Sequence, residues 1–218
     1  MTTRPGAAPT ATRPPRDTAA RVLHAGVAAC ATLGVAVEVS RALVTGDGER
    51  LVRLFSYFTI WTNVLVAGVS VQLAARPRHD GPVFRALRLD TVLCVVVTAV
   101  TVHLVLAPYV PSDPAGRVAD VLTHVVTPSA TVLVWALVGP RPRITWRTCA
   151  TALVLPGAWL AWTFAHGAVS GWYPYPFLDA RRTGLADALL GAATVVALGT
   201  LLGVLLRLVE RVLPAAPR

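Results

Sequence analysis

The sequence predicts an all-α protein, a bundle of six membrane-spanning helices with both termini in the cytoplasm. Composition, run length and the placement of arginine predict it. Of 218 residues, 55% are hydrophobic and 14% charged, and the mean hydropathy is +0.61. A soluble domain carries about 25% charged residues, so this chain lacks the polar surface that water requires. Six mostly apolar runs each reach the length of about 20 residues needed to cross a hydrocarbon core. Lipid offers no partners to backbone groups, so continuous runs of this length must be helices.

The first run, 22–44, follows a segment rich in Thr, Pro, Ala and Arg. That segment, residues 1–20, reads as a flexible cytoplasmic tail. The run is longer than the core of a signal peptide, so no cleavage is expected. The others lie at 51–75, 86–107, 118–138, 148–169 and 184–206, giving one membrane domain over 21–212. All 20 basic residues are arginine. Fourteen fall before the first run, in the second and fourth loops or at the C-terminus, all on one side. Only Arg41, Arg50, Arg53, Arg117, Arg181 and Arg182 fall on the other. The positive-inside bias therefore puts both termini in the cytoplasm, in agreement with an even number of crossings.

The same layout explains the net charge of +9 without a nucleic-acid partner. A lysine-free chain rich in Ala, Val, Gly and Pro points to a GC-rich bacterial genome, so a bacterial cell membrane is the expected location. Cys30, Cys94 and Cys149 lie singly in separate runs, which indicates neither a disulfide framework nor a thiolate metal site. HExxH, phosphate-binding loops and GxGxxG are missing from the sequence, and no metal or cofactor is expected. Membrane lipid is the expected environment and partner.

Polar groups inside spanning helices are costly, so their positions carry information. With a rise of 1.5 Å per residue, Thr59 lies roughly 12 Å and His124 roughly 9 Å below the outer boundary. Glu38 lies at a similar depth, and His103 and His166 stand nearer the outer ends of their helices. Asp120 and Asp187 are expected to cap the outer ends of the fourth and sixth helices. Ser56, Thr59, Asn63 and Ser70 recur at helical spacing on one face, as do Asp120, His124, Thr127 and Thr131. Two such stripes at one level face each other most cheaply. Many of these residues also suit a purely structural role as interhelical glue, worth about 0.6 kcal/mol each. Pro128 cannot donate a hydrogen bond to the carbonyl of His124.

A hydroxyl becomes a nucleophile when a base removes its proton, and histidine is the usual base. Thr59 and His124 supply that pair, with Asp120 one turn away as a possible orienting acid. Asn63 and Ser56 are positional candidates for oxyanion donors. The segment GWYPYPFLD at 171–179 brings Trp172, Tyr173, Tyr175 and Phe177, stiffened by Pro174 and Pro176, to the headgroup level. It reads as an interfacial belt or a rigid lid that lines a substrate path. The reaction these groups fit is acyl transfer to water from a lipid ester. A small proton, ion or solute transporter, with Glu38, Arg41, His103 and His124 on its path, and a non-catalytic scaffold are the alternatives.

SYFTIWTN at 56–63, THVVTP at 123–128 and GWYPYPFLD at 171–179 resemble the Pr6Pr family of bacterial membrane proteins. That family is related to the androgen-induced and androgen-dependent TFPI-regulating proteins of animals. Order and spacing of the three blocks match over about residues 22–206, with the aromatic block the most specific. The resemblance implies a membrane hydrolase of fatty acid esters of hydroxy fatty acids, with Thr59 as nucleophile and His124 as base. It implies nothing for Asp120. The pair Trp61-Thr62 departs from the Gln-Ser expected in bacterial relatives.

Overall fold

The computed structural model describes residues 15–44, 48–109, 113–141 and 143–214. Among them all regular structure is helical, and six helical segments are long and apolar enough to cross a membrane. The protein is a multi-pass membrane bundle. The expected tail falls outside the described residues up to position 14, as do Arg4, Arg13 and Arg218.

Helix α1 covers Pro15–Val44 and takes in residues 15–20, which the sequence placed in the tail. The second run divides. An amphipathic helix α2 (Gly48–Ser56) gives way, through the extended backbone of Tyr57 (φ −74°, ψ 132°), to the spanning helix α3 (Phe58–Ala75). Leu51 is therefore not the start of the second span, because Glu49, Arg50 and Arg53 keep α2 charged along one side. Carbonyls freed by the break are taken by indoles. Trp61 Nε1 donates to Phe55 O at 2.7 Å and Trp159 Nε1 to Ser56 O at 2.9 Å.

Helix α4 (Pro82–Val105) is the central span, while the last one packs at the periphery. The fourth span begins four residues earlier than expected, at Pro114, because Asp113 caps it with a bond of 2.8 Å from Gly116 N. That amide and Arg41 hold the Asp113 carboxyl below the usual range. Helix α5 (Pro114–Val121) runs through a single π-turn, Leu122–Val126, into α6 (Thr127–Val138). Pro128 would clash with the His124 carbonyl in a regular helix, and the wider turn relieves that clash. Gly34 on α1 lets the π-turn come close, since a Cβ there would lie 2.7 Å from Thr123 Cγ2.

The fifth span starts with α7 (Trp146–Ala152), opened by a Thr145/Thr148 capping box, and continues as α8 (Val154–Ser170). Pro156 bars a regular bond to the carbonyl of Ala152, which explains the interruption. A short α9 (Ala180–Thr183) precedes α10 (Leu185–Val212), which extends six residues beyond the expected end.

Beneath Thr59 the core is a layer of Val27, Ala31, Val66, Val95 and Val134. At the opposite end arginines close the helix C-termini. Arg21 donates to Ala74 O (2.9 Å) and Ala75 O (2.6 Å), Arg88 to Gly139 O (3.1 Å) and Arg207 to Ile144 O (2.5 Å). The first two cations thus meet the negative end of a helix or the turn that follows it, while Arg207 ties the last helix to the loop ahead of α7. In the loop there, two hydrogen bonds from Arg85 hold Asp80 well below the usual carboxylate range. His24 on α1 and Asp90 on α4 are both buried.

Candidate active site

Thr59 is the second residue of α3, so it sits in the first turn of its helix rather than two turns below the boundary. Depth counted from Leu51 fails because α3 starts at Phe58. His124 lies in the π-turn of the fourth span. The two nevertheless meet, with Thr59 Oγ1 3.1 Å from His124 Nε2. On the far side of the imidazole, Nδ1 lies 2.8 Å from Asp120 Oδ1. A carboxylate at Nδ1 fixes the proton there, which leaves the Nε2 lone pair facing the Thr59 hydroxyl. Asp120 is thus no helix cap, and Asp113 fills that place. Asp187 stays in the first turn of α10.

The remaining polar stripe is largely satisfied within its own helices. Asn63, fully buried, donates from Nδ2 to Thr59 O at 2.9 Å, and Thr62 Oγ1 donates to the same carbonyl at 3.1 Å. These bonds pin the turn that carries Thr59. Ser56 Oγ donates to Val52 O at 2.8 Å and accepts from Trp162 Nε1 at 3.2 Å. Thr131 donates to Thr127 O at 2.7 Å. These local bonds hold single turns rather than join helices; of those named, the Trp162–Ser56 bond is the interhelical one. Neither Asn63 nor Ser56 borders the chamber described next.

Thr59, His124 and Asp120 line a chamber of about 700 Å³. Its apolar wall includes Ile60, Val102 and Leu106. Its rim carries four arginines, at 41, 50, 53 and 182, against the carboxylates of Glu38, Asp120 and Asp179. Arg41 is held by Glu38 (2.8 Å) and Asp113 (2.6 Å), an arrangement that ties α1 to the start of α5. Glu38 therefore borders the chamber as half of an ion pair. His103 is exposed, with Nδ1 2.8 Å from the carbonyl of Ala99 on its own helix. His166 stacks on Trp162 and meets the edge of Trp172. Neither histidine borders the chamber.

The aromatic segment splits by role. Trp172, Tyr173 and Tyr175 line the chamber, whereas Phe177 faces a neighbouring apolar crevice. Trp172 packs edge-on against Tyr57 and under the Arg53 guanidinium, 5.4 Å from its ring centre. Tyr173 is seated against Gly167 on α8, where a Cβ would collide with its ring. Tyr57 is a chamber residue that reading the sequence missed, although it stands inside the SYFTIWTN block. Burial raises its phenol. Arg182 was counted only for orientation, and its position beside the aromatic block was the available signal.

The chain matches no protein-family model, no curated protein sequence and no solved structure in comparisons with each.

Proposed function

We propose that this protein is an integral-membrane hydrolase of lipid esters, with Thr59 as nucleophile, His124 as general base and acid, and Asp120 orienting the imidazole. The observation that carries the proposal is the unbroken line of hydroxyl, imidazole and carboxylate, 3.1 Å and 2.8 Å apart, on the wall of a chamber. Hydroxyl, base and orienting acid within hydrogen-bond reach are the arrangement that nucleophilic acyl transfer requires. Apolar wall and charged rim suit an amphiphile whose polar end stays near the headgroups. The resemblance of the three sequence blocks to Pr6Pr proteins supports the same reading. It also favours fatty acid esters of hydroxy fatty acids as substrates, with the chamber at the outer face of a bacterial cell membrane.

In the proposed reaction Thr59 Oγ1 gives its proton to His124 Nε2 while bonding to the ester carbonyl carbon, and the carbonyl π pair moves to oxygen. Return of that pair breaks the ester C–O bond. The departing alkoxide takes the proton from Nε2, leaving an acyl-threonine. Water then gives a proton to Nε2 and attacks the acyl carbon. Thr59 Oγ1 leaves, regains that proton, and a fatty acid is released.

The test is fatty acid release by the purified chain in liposomes carrying long-chain ester lipids. The wild-type chain is expected to release fatty acid above protein-free liposomes. Asp120→Asn should lower kcat by about 10²–10⁴-fold, because an amide beside Nδ1 favours the tautomer with its proton on Nε2. No release by wild type from any ester class would end the proposal. Full activity of Asp120→Asn would reduce Asp120 to a rim carboxylate.

A further inference from the structure

We propose that the hydroxyl of Tyr175 donates the hydrogen bond that stabilises the oxyanion, which makes it a third catalytic residue; this rests on the hydrolase reading above. Tyr175 belongs to the aromatic segment, yet it is only 7% exposed, and its ring is fixed by Tyr57, Trp159 and Phe177 at centroid distances of 5.7, 5.8 and 5.6 Å. Its oxygen accepts the N–H of Phe58, the first residue of α3, at 3.1 Å. A phenol that accepts one such bond still has its proton to place. The hydroxyl and amide of Thr59 are its other polar neighbours.

That position follows from the chemistry of the attack. When Thr59 Oγ1 bonds to the ester carbon, negative charge appears on the oxygen attached to that same carbon, one bond further on. A donor that flanks Oγ1 on the chamber wall is therefore within reach of the new oxyanion. Three donors near Thr59 are already committed, Asn63 to Thr59 O, Ser56 to Val52 O, and Arg41 to Glu38 and Asp113. The Phe58 N–H, at the positive end of α3, polarises the phenol and strengthens it as a donor. Burial pushes the Tyr175 phenol up to about 12, so it keeps its proton at neutral pH.

The experiment uses the full chain in liposomes, with a long-chain p-nitrophenyl ester as substrate and the matching trifluoromethyl ketone as inhibitor. The ketone's adduct with Thr59 carries the oxyanion. In Tyr175→Phe, kcat should fall by about 10²–10³-fold and ketone affinity by a similar factor, with KM changed by no more than about threefold. Where Tyr175→Phe fails to fold, 3,5-difluorotyrosine at position 175 keeps the shape and lowers the phenol pKa. It should move the loss of kcat at high pH to lower pH, since an ionised phenol cannot donate. A Tyr175→Phe chain with wild-type kcat, or a high-pH limb unmoved by fluorination, would overturn the proposal. If wild type hydrolyses nothing, the hydrolase reading fails and this role falls with it. If wild type hydrolyses and Tyr175→Phe matches it, only the role of Tyr175 fails.

Discussion

Thr59→Ala is expected to lower kcat for ester hydrolysis by about 10⁴–10⁶-fold, the scale on which loss of a nucleophile acts in a hydroxyl–imidazole–carboxylate site. Oγ1 forms the bond to the acyl group, so nothing else in the chamber replaces it. The fold should survive. Thr59 lines the chamber, and alanine suits the first turn of a helix at least as well as threonine does. Thr59→Ser separates chemistry from packing, because it returns the hydroxyl without the methyl. Recovery to within about tenfold of wild type is expected there. A Thr59→Ala chain that turns over ester at the wild-type rate, measured as fatty acid released per reconstituted protein, would remove the nucleophile assignment.

His124→Ala is expected to lower kcat by a similar factor, about 10⁴–10⁶-fold, since no other base stands at the hydroxyl. Its side chain is 13% exposed and borders the chamber, so truncation enlarges an existing space rather than opening a sealed cavity. The melting temperature should stay close to that of wild type. The double variant Thr59→Ala/His124→Ala makes the stronger test. Residues that act as one unit are non-additive, so the double variant should be no slower than either single one. Independent losses that multiply would mean that the two side chains do separate work.

The six spans were legible because length and apolarity decide them, and lipid permits little else. The meeting of Thr59 and His124 was legible for a related reason, since each lies on a polar stripe with helical spacing. What misled was the start of the second span. Leu51, Val52, Leu54 and Phe55 continue the apolar run past the charges of Glu49, Arg50 and Arg53, and two indole bonds fix the place of the break. Those bonds come from Trp61 and Trp159 to carbonyls at 55 and 56, the second from a residue 103 positions away. The same limit hid the Arg41–Asp113 pair, 72 positions apart. Asn63 shows a different one. Its spacing correctly put it beneath Thr59, but spacing cannot tell an amide turned to the chamber from one turned back to its own helix. For Asp120, a cap and an imidazole partner look alike in sequence until the position of the helix start is known.

The most direct measurement is to treat the reconstituted wild-type chain with a long-chain fluorophosphonate, digest it, and locate the adduct by peptide mass spectrometry. One phosphonyl group on Thr59, missing when His124 is alanine, is the result this account predicts. A chain that stays unmodified, or carries the group on another residue with Thr59 untouched, contradicts it.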